Sequence, residues 1–200
     1  MKKIFSIAVA LMVSAASFAQ GSFTSIIPHV GLGYGHVTNM KDYDVSGDEI
    51  DYGAGLSINV GADALYQLSD KFGITGGLNY NYFEGTKETI KVMGYEIKNV
   101  LKLGFLDVPI IAHYNITNNF GAFAGIQPSF LLSAKNDDLD LKDGCKSFQF
   151  SIPLGLEYTF NEPIVLSAQV NLPVTKLNDD DFDAQKFTVF MLKVGYRLDL

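Results

Sequence analysis

The stretch Ser147-Phe148-Gln149-Phe150-Ser151-Ile152-Pro153-Leu154-Gly155-Leu156-Glu157-Tyr158-Thr159-Phe160 decides the fold class. Phe148, Phe150, Ile152, Leu154, Leu156, Tyr158 and Phe160 are apolar, and small or polar residues stand between them. A period of two over that length is a strand, because successive side chains of an extended chain point to opposite faces. The pattern recurs over 56–68, where Leu56, Ile58, Val60, Ala62, Ala64, Tyr66 and Leu68 form the apolar row. Weaker copies run over 24–37, 72–84, 101–116, 120–134, 163–175 and 186–198. The sequence therefore predicts an all-β chain of eight strands, each long enough to cross a bilayer at a tilt.

The second face of these strands says where the first one goes. A soluble barrel points its apolar face inward and covers the other with Lys and Glu. Here the second face is mostly Gly, Ser, Thr, Asn and Gln, as suits the narrow, filled interior of an eight-stranded barrel. The apolar face then meets lipid, with Tyr34, Tyr66, Tyr80, Tyr82, Tyr114, Tyr158 and Tyr196 placed toward strand ends as an aromatic girdle. Charged residues make up only 18% of the chain, below a typical soluble domain. A formal net charge of −7 argues against nucleic acid as a partner. The chain has one cysteine, Cys145, so no intrachain disulfide framework is available.

The connections give an independent test. Residues 69–71, 117–119 and 161–162 are short turns, whereas 38–53, 85–100, 135–146 and 176–185 are long. Strict alternation puts all short turns at one end, as in outer-membrane barrels with short periplasmic turns and longer outer loops. At the start, Lys2 and Lys3, an apolar run from Ile4 to Val13, and Ser17 and Ala19 before Gln20 form the pattern of a cleaved secretory signal. The expected organisation is a signal peptide over 1–19 and an eight-stranded antiparallel up-and-down transmembrane barrel over 20–200, in the bacterial outer membrane with both termini in the periplasm.

Three segments carry a family resemblance. Phe105-Leu106-Asp107-Val108-Pro109-Ile110-Ile111-Ala112-His113-Tyr114 resembles the "YLEIPLLLKY" strand of the PorT-like outer-membrane β-barrel proteins. Phe123-Ala124-Gly125-Ile126 through Leu131-Leu132-Ser133-Ala134-Lys135 is similar to that family's next strand, and Val194-Gly195-Tyr196-Arg197-Leu198 to its closing "GYRF". The chain departs from the family where Asp107 replaces the usual Glu and where it ends on Leu200, not an aromatic residue. The resemblance implies an eight-stranded barrel of the OmpA and OmpX architecture. Most members have no assigned activity, and the founding one serves a protein-secretion machine.

The inward face carries few ionisable residues: His29, Asp63, Asp107, His113, Glu157, Lys193 and Arg197. Opposite charges in a narrow lumen should pair, because isolated ones are costly there. The expectation is a charge cluster that fills and closes the barrel. Most of the 22 acidic residues fall in the long loops. Among them Asp137, Asp138, Asp140, Asp179, Asp180 and Asp181 are a candidate weak site for Ca²⁺ or Mg²⁺ bridging to lipopolysaccharide. Residues 86–100 (TKETIKVMGYEIKNV) read as a β-hairpin projecting above the membrane, with edges open to an envelope protein partner. No nucleophile and base stand together at the outer rim, so an enzyme is not expected, nor a cofactor. The expected role is structural or interaction-based, the barrel presenting acidic loops or docking to an envelope or secretion assembly. The alternative is passage of a small solute or hydrophobic ligand through the barrel.

Overall fold

The computed structural model describes residues 23–38, 41–43, 49–51, 54–85, 88–92, 95–136, 139–160, 163–178 and 185–200. Eight long strands dominate it. They are β1 (Ser25–Val37), β2 (Ala54–Gln67), β3 (Phe72–Gly85), β4 (Leu101–Asp107 continued as Ile110–Asn115), β5 (Phe120–Asn136), β6 (Phe148–Phe160), β7 (Ile164–Pro173) and β8 (Phe187–Tyr196). Each pairs antiparallel with its neighbour in sequence. The last returns to the first, with Gly31 opposite Lys193 and Gly33 opposite Met191. That closure leaves none of the eight with an unpaired edge.

The turns at one end are held by their own polar groups. Leu68 and Ser69 donate backbone N–H to the carbonyl of Phe72, and Ile116 and Thr117 donate to Phe120. The Thr117 hydroxyl accepts from the N–H of Asn119 and Phe120, while Asn119 reaches across to donate to the carbonyl of Thr159. At the same end a short segment, Leu198–Asp199, pairs with Ser25 and Ile26, and the Ser25 hydroxyl donates to the Asp199 carboxylate at 2.8 Å.

The strand ends fall close to those read from the alternation, with two differences. Pro109 has no N–H, so β4 is interrupted at Val108-Pro109; the neighbours keep the wall closed through Val108 N–H to the Pro128 carbonyl and Gly77 N–H to the Pro109 carbonyl. β5 runs on past Ala134 to Asn136 by taking in a bulge between Leu131 and Ser133. In the long connections, Glu88–Val92 pairs with Tyr95–Asn99 as the expected hairpin, and a smaller ladder joins Lys41–Tyr43 to Glu49–Asp51. The proposed signal peptide lies outside the described residues.

The two faces of the wall divide sharply. Leu32, Leu192 and Phe190 are 61%, 69% and 59% exposed, and most of the outward positions of all eight strands are large and apolar. An apolar surface of that extent has no stable place in water and matches a hydrocarbon layer. All seven tyrosines assigned to the girdle point outward. Inward, the interior has two storeys. From the short-turn end to mid-barrel it is mainly polar, with Ser57, Asn59, Thr75, Asn79, Asn81, Asp107, Gln127, Ser129, Gln169 and Asn171 buried and Leu65, Ile111, Phe123 and Val165 packed among them. At the long-loop end it is apolar, which corrects the expectation of a polar filling throughout. Val37, Phe83, Leu101, Leu103, Phe105 and Leu131 form a plug there, joined by Leu177 from a loop and flanked by Leu141, Cys145 and Phe187. The Phe187 ring lies 4.9 Å from that of Phe83 and 5.6 Å from that of Phe105. Gly35 makes this possible, because a Cβ at its position would strike both Phe83 and Phe187.

Candidate functional site in the barrel lumen

All seven ionisable residues read as inward do face the lumen, but they form separate groups, not one cluster. Nearest the short turns, His113 Nδ1 lies 3.0 Å from Glu157 Oε1, and its Nε2 lies 2.9 Å from the Thr75 hydroxyl. With a carboxylate on Nδ1, the neutral ring carries its proton there and accepts the Thr75 O–H at Nε2. Deeper, His29 Nδ1 faces Asp63 Oδ2 at 3.6 Å and the Ile27 carbonyl at 3.3 Å, and Nε2 faces Asn59 Oδ1 at 3.2 Å. Gly77 provides the floor for Asp63, whose Oδ1 occupies the space a Cβ would need. Higher still, the Ser57 hydroxyl donates to Asn81 at 2.7 Å, and Asp107 lies beside Asn81 and Ser129.

The two cations depart from the pairing expected of them. Lys193 is 7% exposed and feels Asp63 and Asp107, but no ion pair or hydrogen bond to a described residue reaches its ammonium. Arg197 stands apart from the His113–Glu157 pair, and its Nε has no partner. The reason is the pleat. Register fixes each inward Cα, and Lys193 sits opposite Gly31 and Ser167 while Arg197 lies beyond the end of β8, so neither starts beside an acid. Asp63 Oδ1 and Asn79 Oδ1 are also buried without partners. Between this polar storey and the apolar plug lies a cavity of about 30 Å³, with Asn81, Asp107, Ser129 and Asn171 on one side and Phe105 and Phe187 on the other. It has room for about one or two waters.

The hydroxyl–imidazole–carboxylate line of Thr75, His113 and Glu157 has the connectivity of a nucleophile, base and orienting acid. Thr75 is 3% exposed, however, so its hydroxyl is sealed in the wall packing and cannot meet a substrate. The line orients His113; it does not expose a nucleophile. Thr75, Asn81 and Ser129 were not singled out from sequence. Their inward parity was visible, but a partner on the next strand requires the register. Of the candidate cation ligands, Asp137, Asp138, Asp179, Asp180 and Asp181 lie outside the described residues. Asp140 uses Oδ1 to accept the Lys142 N–H, and among the described residues no group of His, Cys, Asp and Glu is arranged to hold a metal.

A model of the outer membrane protein beta-barrel domain matches residues 18–179 of the chain, which is most of its length. The chain belongs to that family. The barrel, closed on itself with its apolar face outward, is thus an outer-membrane protein, and the family places it in the bacterial outer membrane. It is similar in fold to the crystal structure of Neisserial surface protein A, at 16% identity and a TM-score of 0.55, covering 88% of this chain and 97% of that one. It also matches the outer membrane protein OprG from Pseudomonas aeruginosa, at 15% identity and TM-score 0.46 over 90% and 99% of the two chains. Ail, the attachment invasion locus protein of Yersinia pestis, matches at 14% identity and TM-score 0.44 over 88% and 99%. No curated protein matches the sequence.

Proposed function

We propose that this outer-membrane barrel does not conduct and works as a platform, presenting its outer loops and docking an envelope partner through them. The apolar plug is the observation that carries this reading. Phe83 and Leu103 are fully buried where a pore would need a wet passage, and the space beneath them holds about one or two waters. A solute would have to dislodge rings packed from three strands. The hairpin of Glu88–Val92 and Tyr95–Asn99 supports the docking half of the proposal. Its two strands pair with each other in a sheet separate from the barrel, so their outer edges offer backbone groups to a strand from a partner. Export of the chain through cleavage before Gln20 is part of the same reading, as is the service to a secretion machine implied by the PorT-like resemblance.

Planar-bilayer recording on the refolded barrel tests it. The expected trace is silent for the parent protein, with discrete steps appearing only when the plug is cut away by Phe83→Ser with Phe187→Ser. Steady unitary conductance from the parent barrel would overturn the platform reading in favour of transport.

A further inference from the structure

Above the apolar belt, the outward row that crosses β3, β4 and β5 reads Glu84, Lys102, Lys135, with Asp140 beyond. Glu84 is in register with Lys102, Lys102 with Lys135, and Lys135 with Asp140. The side chains of Leu101, Leu103 and Ala134 enter the plug, so Lys102 and Lys135, which alternate with them, point away from it. Two lysines of like charge therefore stand in register on adjacent strands, an arrangement that destabilises a sheet unless something neutralises it. The flanking acids are in register with the lysines but form no ion pair with either of them. The Glu84 carboxylate accepts the Tyr82 hydroxyl at 3.0 Å, and Asp140 Oδ1 accepts the Lys142 backbone N–H at 2.9 Å. Neither Lys102 nor Lys135 has a hydrogen bond or ion pair to a described residue. A third ammonium is close in chain and in space, because Lys142 Nζ donates at 2.9 Å to the carbonyl of Leu132, freed from the ladder by the bulge just before Lys135.

What lies beneath these lysines gives their height in the membrane. The Tyr80 hydroxyl and the Ser133 hydroxyl meet over Gly104, where a Cβ would come within 2.9 Å of the first and 2.6 Å of the second. Below that polar shelf the same strands present Leu106 and Phe130, with Leu132 47% exposed beside them. The order from below is hydrocarbon-facing wall, tyrosine and serine hydroxyls, then cations. This is the sequence of layers from acyl chain to headgroup.

We propose that Lys102, Lys135 and Lys142 form a binding site for the phosphorylated headgroup of an outer-leaflet lipid, whose acyl chains lie on Leu106, Phe130 and Leu132. A phosphate placed between Lys102 and Lys135 neutralises both, and ammonium groups take phosphate oxygens as compact point charges. The site is on the outer wall, and it is independent of whether the lumen conducts or the hairpin docks a partner.

Native mass spectrometry of the intact barrel released from mixed micelles tests the site, with a bisphosphorylated lipid A as probe. The phosphorylated lipid should stay bound, and the same lipid stripped of its phosphates should bind about tenfold or more weakly. Removing one charge should weaken retention roughly fivefold, as expected for a basic residue at an anionic surface, and Lys102→Gln with Lys135→Gln should compound this. The charge-keeping pair Lys102→Arg with Lys135→Arg should restore retention, and Lys71→Gln at the opposite end of the barrel should leave it unchanged. Equal retention by the Gln double variant, with heat-modifiable gel mobility showing it folded, overturns the proposal. So does equal retention of the dephosphorylated lipid, or complete displacement of lipid A by inorganic phosphate, which would make this a free-anion site.

Discussion

The two storeys of the lumen solve one problem in different ways. Near the short turns, the space between inward glycines is filled largely by polar side chains held by directed bonds, such as Thr75 to His113 to Glu157, with a few apolar side chains such as Phe123 among them. Near the long loops it is filled by Phe83, Leu103, Phe105 and Phe187, whose contacts have no direction. A polar filling must satisfy every donor and acceptor, and it leaves Asp63 Oδ1, Asn79 Oδ1 and Arg197 Nε unsatisfied. An apolar filling needs only volume. The comparison teaches that the apolar storey is the seal, while the polar storey is the part with spare capacity for water and charge.

The sharpest way to break the contrast is in the seal. Phe83→Ala removes a ring with no exposed surface from between Gly35 and Phe187, and neither neighbour can fill the void. A loss of about 3–5 kcal/mol is expected, read from denaturant unfolding of the lipid-refolded barrel. In the polar storey single changes should cost less. Glu157→Leu strips the acceptor from His113 Nδ1 and leaves a buried donor unpaired, for about 1–3 kcal/mol. The same unfolding measurement checks it, and a loss as large as that of Phe83→Ala would mean that the polar network, not the plug, carries the interior. Gly77→Ala drives a methyl into the Asp63 carboxylate and should cost about 1–3 kcal/mol as overpacking. The smallest effect belongs to its neighbour. Nothing lies within 4 Å of a Cβ at Gly76, so Gly76→Ala should change stability by no more than about 0.5 kcal/mol. A melting comparison of the two adjacent variants tests the assignment of faces directly, since similar losses would mean that wall and lumen are not divided as described.

Much of this was readable from the chain, and the reasons differ by element. The segment 147–160 alternates so cleanly that both its strand and its two faces follow from it, because period two is a purely local property. The seven inward ionisable residues followed from the same parity. The apolar plug did not. Leu101, Leu103 and Phe105 alternate with Lys102, Gly104 and Leu106 and share the inward parity of Asp107, but parity does not say that they meet Val37, Phe83 and Leu131 from other strands to close the lumen. That Lys102 faces Lys135, or that Lys193 and Arg197 miss the acids expected for them, depends on register across strands and on the bulge at Leu131 to Ser133.

The sequence by itself determined that the chain folds as strands with one hydrocarbon-compatible face and short turns at one end, because alternation and turn length are written in consecutive residues. The tertiary structure decided which inward residues touch, where the lumen closes and which lysines meet on the outer wall. Those depend on how far each strand slides past its neighbour, and a barrel fixes that slide only when all eight strands close together.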